Sequence, residues 1–124
     1  MISSSEVEII HNILIDKFGG ARGMRDMGLL ESALARPFAI FNEINLYTTP
    51  VKKAAAIMES IVINHPFIDG NKRTAYTFMR LILLENQLDI IATQEEKYNF
   101  VIGANTGTYR FEEIKDWIFL HLKK

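Results

Sequence analysis

Cysteine is absent from the 124 residues. That excludes disulfides, thiolate-held zinc, iron–sulfur clusters and a thiol nucleophile. Net charge is scarce too: 14 Lys and Arg against 15 Asp and Glu leave −1. A nucleic-acid binder of this size carries a clear basic excess, so no direct nucleic-acid partner is expected. Long apolar runs are also missing. The most apolar stretch, Ala75 to Leu84, is interrupted by Arg80 and is far shorter than the ~20 residues that cross a bilayer. Glu6 and Glu8 follow Met1 to Ser5 directly, so no basic segment precedes an apolar one as in a secretory signal. These absences together predict a soluble, cytoplasmic protein with no membrane partner. Histidine is limited to His11, His65 and His121, and any imidazole chemistry must come from those three.

What is present suits one packed core. Hydrophobic residues make up 48% and charged residues 23%, and a chain of this length is expected to form a single domain over residues 1–124. The prolines Pro37, Pro50 and Pro66 punctuate helical patterns. Val7, Ile10 and Leu14 keep helical spacing from about Ser5 to Phe18, with Ser5 and Glu8 as a capping box and Gly19 as the stop. Gly19 to Asp26 reads as a flexible surface loop. It is either a plain connector or, through Arg22 and Arg25, a docking surface for a protein target. A helix from about Met27 to Arg36 follows, capped by Asp26. Residues 38 to 48 lack a clean period, and a short helix is expected there. Thr49 and Pro50 open a strong helix that runs to Asn64. Another begins near Asp69 or Gly70 and is apolar nearly all round from Ala75 to Leu84. Leu88 to Ala92 suits a short extended piece. Thr93 and Glu96 cap a helix to about Asn105, and a last helix carries Phe111, Ile114, Trp117 and Ile118. The fold class is therefore all-α: a compact bundle of about six to seven helices around a central buried helix at about 70–85. His11 and His121 are expected at boundary or surface positions, and Trp117 in the core.

Chemistry concentrates in Asn64-His65-Pro66-Phe67-Ile68-Asp69-Gly70-Asn71-Lys72-Arg73, between two strong helices. Pro66 drives His65 out of the right-handed helical region and ends the first helix. Asp69 is placed to cap the second. The first-turn amides of that second helix have no partner inside it. Gly70 leaves them unshielded, and the helix dipole favours an anion there. Lys72 and Arg73 add two cations within one turn. Histidine is the one side-chain type that titrates near neutrality, so His65 could take a proton from an attacking hydroxyl. Asp69 is a hard ligand of the kind that holds Mg²⁺ beside substrate phosphates. Phe67 is expected to point into the core and pin the loop. Singly, each residue has an ordinary structural reading as a cap, a solvated charge or a core ring. Their coincidence at one helix entrance is the parts list for transfer of a phosphorus-centred group.

The run His65-Pro66-Phe67-Ile68-Asp69-Gly70-Asn71-Lys72-Arg73 resembles the signature motif of the Fic/Doc family in its death-on-curing (Doc) form. Phe18-Gly19-Gly20, Gly23-Met24-Arg25-Asp26, Gly28 to Leu34 and Arg36-Pro37 resemble the N-terminal half of Doc toxins. Asn105-Thr106-Gly107 and the Trp117 helix resemble the C-terminal part. The resemblance implies the Fic fold, with the motif between two core helices. It implies transfer of part of a nucleoside triphosphate, ATP or another, to a protein hydroxyl with Mg²⁺. By position, His65 would be the general base and Asp69 the Mg²⁺ ligand. Gly70 and Asn71 would form the anion hole, Lys72 and Arg73 would bind phosphate, and Pro66 and Phe67 would position the motif.

One departure separates two chemistries. Adenylylating Fic proteins have a second Gly where this chain has Lys72, and Doc toxins share the Lys. The resemblance therefore implies a kinase-like reaction in which the γ-phosphate moves, on a threonine of translation elongation factor Tu. Asp69-Gly70 is also how adenylylating motifs read, so AMP transfer stays open, as does a non-catalytic anion- or partner-binding module of the same fold. No Ser/Thr-x-x-x-Glu-Gly/Asn segment of the self-inhibited Fic proteins occurs. Thr108 with Glu112 is nearest, but Glu113 stands at the Gly/Asn position. Inhibition is then expected from a cognate antitoxin whose disordered tail folds on the toxin.

Overall fold

The computed structural model describes residues 3–124. Among these, six α-helices and one two-stranded hairpin follow in order: α1 (Ser4–Phe18), α2 (Met27–Ala35), a 3-10 turn (Arg36–Phe38), β1 (Ile40–Phe41), β2 (Ile44–Asn45), α3 (Pro50–Asn64), α4 (Asn71–Glu85), α5 (Gln94–Thr106) and α6 (Phe111–Leu120). The all-α class holds. The helix at 70–85 shares the centre with α3, which is the more enclosed of the two. Every residue of α3 from Ala54 to Val62 is buried, whereas α4 exposes Lys72, Leu84 and Glu85. The small residues Ala54, Ala55 and Ala56 let neighbours approach α3 closely on all sides. Phe78, Met79 and Leu83 of α4 and Ile114 and Ile118 of α6 complete the same cluster. None of the helices is long and apolar enough to cross a membrane.

Several caps follow the sequence. Asp26 accepts from the Leu29 amide at 3.0 Å, Thr49 from that of Lys52 at 3.2 Å, and Thr93 with Glu96 forms a complete capping box. The cap of α1 lies two residues earlier than expected: Ser3 accepts from the Glu6 amide at 3.2 Å, in place of Ser5 with Glu8. The short helix expected across residues 38–48 is replaced by the 3-10 turn and the hairpin, with Ile40 opposite Asn45 and Phe41 opposite Ile44. Asn42 and Glu43, at φ 51° and 65°, supply the paired left-handed turn residues that a two-residue hairpin loop requires. The extended piece near Leu88 to Ala92 is present as a single bridge between Ile90 and Leu122. Trp117 packs flat on Phe100, ring centres 3.8 Å apart, and is itself only half-buried.

Arg36, at the end of α2, joins three elements. Its guanidinium pairs with Glu59 of α3 at 2.7 Å, donates to the hydroxyls of Tyr47 at 2.8 Å and Ser60 at 3.0 Å, and lies over the rings of Tyr47 and Phe111. Glu59 is only 7% exposed, so Arg36 is what makes its burial tolerable. Arg36→Ala is expected to lower the unfolding free energy by about 3–5 kcal/mol, because it strands a buried carboxylate. The double change Arg36→Met, Glu59→Leu should recover most of the loss. Urea titration measures both, and a single-variant cost below about 1 kcal/mol, the range of an exposed pair, would remove Arg36 from this role.

Candidate functional site

The loop between α3 and α4 is held from three sides. α3 ends at Asn64, and His65 caps it in the left-handed region (φ 47°, ψ 56°) with its amide on the Ile61 carbonyl. The proline rule is thus met by a left-handed turn that leaves the imidazole exposed. Arg25 reaches across from the preceding segment, its Nε donating to the His65 carbonyl at 2.6 Å and its Nη2 to that of Asn64 at 2.5 Å. A cation thereby sits on the negative end of the α3 dipole. The amides of Arg25 and Asp26 both donate to the Pro66 carbonyl, and that of Ile68 to Gly23. Met24 forms a bridge with Phe67. The stretch Gly19 to Asp26 is therefore not a free surface loop but a strap bonded to the motif. Gly23 is favoured in it by its backbone, at φ +132°, a conformation that side-chain-bearing residues rarely adopt.

Beneath the loop, Phe67 is buried as expected and stacks on His11, ring centres 3.8 Å apart and planes within 6°. His11 is 1% exposed, which corrects its expected boundary position. Its Nε2 lies 2.7 Å from the Asp69 carbonyl. A carbonyl can only accept, so that nitrogen carries the proton. Asn71 also faces inward: its Oδ1 accepts from the Phe67 amide at 3.0 Å and its Nδ2 donates to the Phe67 carbonyl at 2.9 Å. The cap of α4 is Gly70 in the left-handed region (φ 76°), with no side-chain cap bond. Asp69 therefore does not cap the helix. Its Oδ2 accepts from the Ala21 amide at 3.1 Å and its Oδ1 from the Gly70 amide at 2.8 Å. The first-turn amides of Asn71, Lys72 and Arg73 are left without partners inside the helix.

These elements enclose a cleft of about 420 Å³ whose walls include His65, Asp69, Gly70, Asn71, Lys72, Arg73 and, from α5, Asn105. Every residue singled out in the motif lines it except Pro66 and Phe67, which lie buried beneath. The Asn71 amide group is consumed by Phe67, so its backbone N–H is what it can offer an anion. Arg73 packs over the Phe18 ring at 4.8 Å, and Lys72 is exposed. The hydrogen bonds from Ala21 and Gly70, with the nearby Arg73 guanidinium, hold the Asp69 carboxyl below the usual carboxylate range. It is an ionised, exposed oxygen ligand with lone pairs to spare. No group of three or more acidic or histidine side chains that could hold a metal occurs among the described residues. Asp69 could give a hard divalent cation one oxygen ligand.

Sequence reasoning named His11 as a boundary residue and Arg25 as a docking candidate, and missed that both hold the loop. The signal for His11 was legible: it stands between Val7 and Ile15 on one buried stripe at four-residue spacing. The tie from Arg25 to residues 39 and 40 positions away left no local trace.

A sequence model described as the Fic/DOC family matches residues 1–83. The chain is 41% identical over 75 residues to a protein named Toxin Doc from Mycolicibacterium smegmatis, an alignment covering 60% of this chain and 58% of that protein. It is 30% identical over 117 residues to a protein named Protein kinase doc from Escherichia phage P1, covering 93% and 90%. It is 33% identical over 73 residues to a protein named Protein adenylyltransferase fic-1 from Caenorhabditis elegans, covering 56% of this chain and 14% of that one.

Two outcomes follow from the support under the loop. His11→Ala should lower the unfolding free energy by about 3 kcal/mol, losing both the stacked ring and the bond to Asp69. His11→Phe keeps a ring on Phe67 and should cost about 1–2 kcal/mol for the orphaned carbonyl. Equal losses in denaturant melts would show that the hydrogen bond alone matters and that the stacked ring adds nothing. The Asp69 bonds favour its ionised form, so their contribution is complete above the ordinary carboxylate value of about 3.9. It is lost as the pH falls through the lower folded value. The stability gap between wild type and Asp69→Ala should stay level down to about pH 5 and shrink below about pH 4. A gap that widens on acidification would reverse this assignment.

Proposed function

The chain belongs to the Fic/DOC family, and from that membership we propose that it is a Doc-like toxin that moves a phosphoryl group from a nucleoside triphosphate to a hydroxyl of a protein target. The observation that carries this reading is the convergence of His65, Asp69, the open first turn of α4, Lys72 and Arg73 on one cleft. Phosphates seat against the amides of that turn, in the field of the helix dipole. Lys72 and Arg73 add positive charge where the terminal phosphate lies. Asp69 would hold a Mg²⁺ brought by the nucleotide, and that ion would supply charge neutralisation at the phosphates. His65 takes the proton of the acceptor hydroxyl. The acceptor oxygen bonds to the γ-phosphorus as the bond from that phosphorus to the β–γ bridging oxygen breaks, and the nucleoside diphosphate leaves.

Lys72 favours γ-phosphate transfer. A side chain in place of a second glycine fills the space into which a longer phosphate tail would extend. The relative named as a protein kinase aligns over nearly the whole chain, which supports the same choice. The acceptor is proposed to be a threonine of elongation factor Tu, so that protein synthesis stops. The regulator is proposed to be an antitoxin with a disordered tail. Adenylylation is the second reading, favoured by Asp69-Gly70 and by the similarity to a protein named as an adenylyltransferase.

Incubation of elongation factor Tu with the purified chain and Mg-ATP, followed by mass spectrometry, separates these readings. A phosphate-sized adduct on the factor is expected, and an AMP-sized adduct would overturn the kinase reading. His65→Ala should reduce transfer by about 10²- to 10⁴-fold and abolish growth arrest on expression, while Mg-ATP affinity by calorimetry stays within about twofold. Undiminished transfer by His65→Ala would remove His65 from the role of base. Co-expression of a small neighbouring reading frame should relieve the arrest.

A further inference from the structure

His65 lies on the walls of two cavities. One is the cleft at the start of α4. The other, of about 280 Å³, lies between the ends of α3 and α5 and the start of α6, where Ile63, Thr106 and Arg110 contribute. Asn105 is the one other residue common to both. Two features of this second cavity have no explanation in folding. Asn105 Oδ1 is buried with no hydrogen-bond partner among the described residues. An orphaned buried oxygen costs about 1–3 kcal/mol, and in native structures such exceptions call for a reason. The Arg110 guanidinium, on an exposed residue, enters no ion pair among the described residues. It is laid across Gly107, where φ is +83° and a Cβ would fall 2.9 Å from Nη2. Glycine at that position serves the left-handed C-cap of α5.

We propose that this second cavity is the acceptor subsite: it takes the hydroxyl-bearing residue of the target protein, on a segment with a carboxylate beside that residue. The proposal rests on the transfer reading given above. With phosphates at the α4 start and the acceptor on the opposite side of His65, the imidazole stands between the two reactants. Asn105 accepts a peptide N–H of the acceptor segment through its unpaired oxygen. Arg110 pairs with the neighbouring carboxylate, a planar fork suited to bidentate recognition. Ile63, 53% exposed, gives the segment an apolar contact. The acceptor hydroxyl proton passes to His65 as the new oxygen–phosphorus bond forms, the bond from the γ-phosphorus to the β–γ bridging oxygen breaks, and the nucleoside diphosphate leaves.

The test uses the full chain, γ-labelled ATP and a bacterial lysate as the source of acceptor, with modified sites mapped by mass spectrometry. Arg110→Gln and Asn105→Ala are each expected to lower kcat/KM for the acceptor about tenfold, the loss of one strong hydrogen bond. For Arg110→Gln, which lies outside the nucleotide cleft, Mg-ATP affinity by calorimetry should stay within about twofold, and thermal melts confirm folding of both variants. An acidic residue should lie within about two positions of each modified hydroxyl, as reach across one side-chain pair allows. Its replacement by Lys in the purified acceptor should restore transfer by Arg110→Glu. Unchanged acceptor kinetics, a parallel loss of nucleotide affinity in Arg110→Gln, or modified hydroxyls without an acidic neighbour would each overturn the subsite. Wild-type protein that labels nothing with γ- or α-labelled ATP would instead overturn the transfer reading on which the subsite stands.

Discussion

The contact on which the site depends is the flat stack of His11 on Phe67, closed by the bond from His11 to the Asp69 carbonyl. It ties α1 to the loop between α3 and α4, beside the contact that Ile15 makes near Gly70. A loop of six residues from His65 to Gly70 would fluctuate if only its ends were fixed. Here its third residue is anchored by a buried ring and by the reciprocal pair with Asn71, and its fifth by His11. What remains free is the part that faces the cleft: the His65 imidazole, the Asp69 carboxylate and the amides of the first turn of α4. A transfer site needs that division, because positioning to a fraction of an ångström is worth more than any one added charge.

The same division explains the backbone strain. His65 and Gly70 both lie in the left-handed region, one at each end of the loop. For Gly70 this costs little, and its missing side chain matters twice. A Cβ there would come within 3.0 Å of Ile15 and 3.4 Å of His11, and it would shield the amides from an anion. For His65 the left-handed conformation costs about 1–2 kcal/mol. The two bonds from Arg25 to the carbonyls of Asn64 and His65 offset that cost. The strap from Gly19 to Asp26 thus does for the upper face of the loop what His11 and Asn71 do for the lower.

The helices, most of their caps and the motif were legible because each rests on contacts within a few residues. Thr49 with Pro50, Asp26, and Thr93 with Glu96 are local devices, and local devices leave local patterns. The hairpin at Ile40 to Asn45 was not legible. Its two strands are two residues long, and its turn uses Asn42 and Glu43 without a glycine to announce it. The cap of α4 was misassigned for a related reason. Asp is a good cap by type, but the Ala21 and Gly70 amides compete for its carboxylate. The clamp from Arg25 and the buried pair of Arg36 with Glu59 span the chain at 23 to 40 residues' separation, and spacing alone carries no sign of them.

A net charge of −1 and a cationic site are compatible because several cations elsewhere in the chain are held in pairs. Arg22 is tied to Asp16, Arg36 to Glu59, Arg80 to Asp89 and Lys115 to Glu112. Arg25 is neutralised by helix-terminal carbonyls. Lys72, Arg73 and Arg110, which flank the two cavities around His65, enter no ion pair among the described residues. Lys72 and Arg73 beside one cavity and Arg110 beside the other give a local positive field, while a net charge near zero supplies no long-range attraction to polyanions. Salt confines that local field to about one Debye length, roughly 8–10 Å, around the loop.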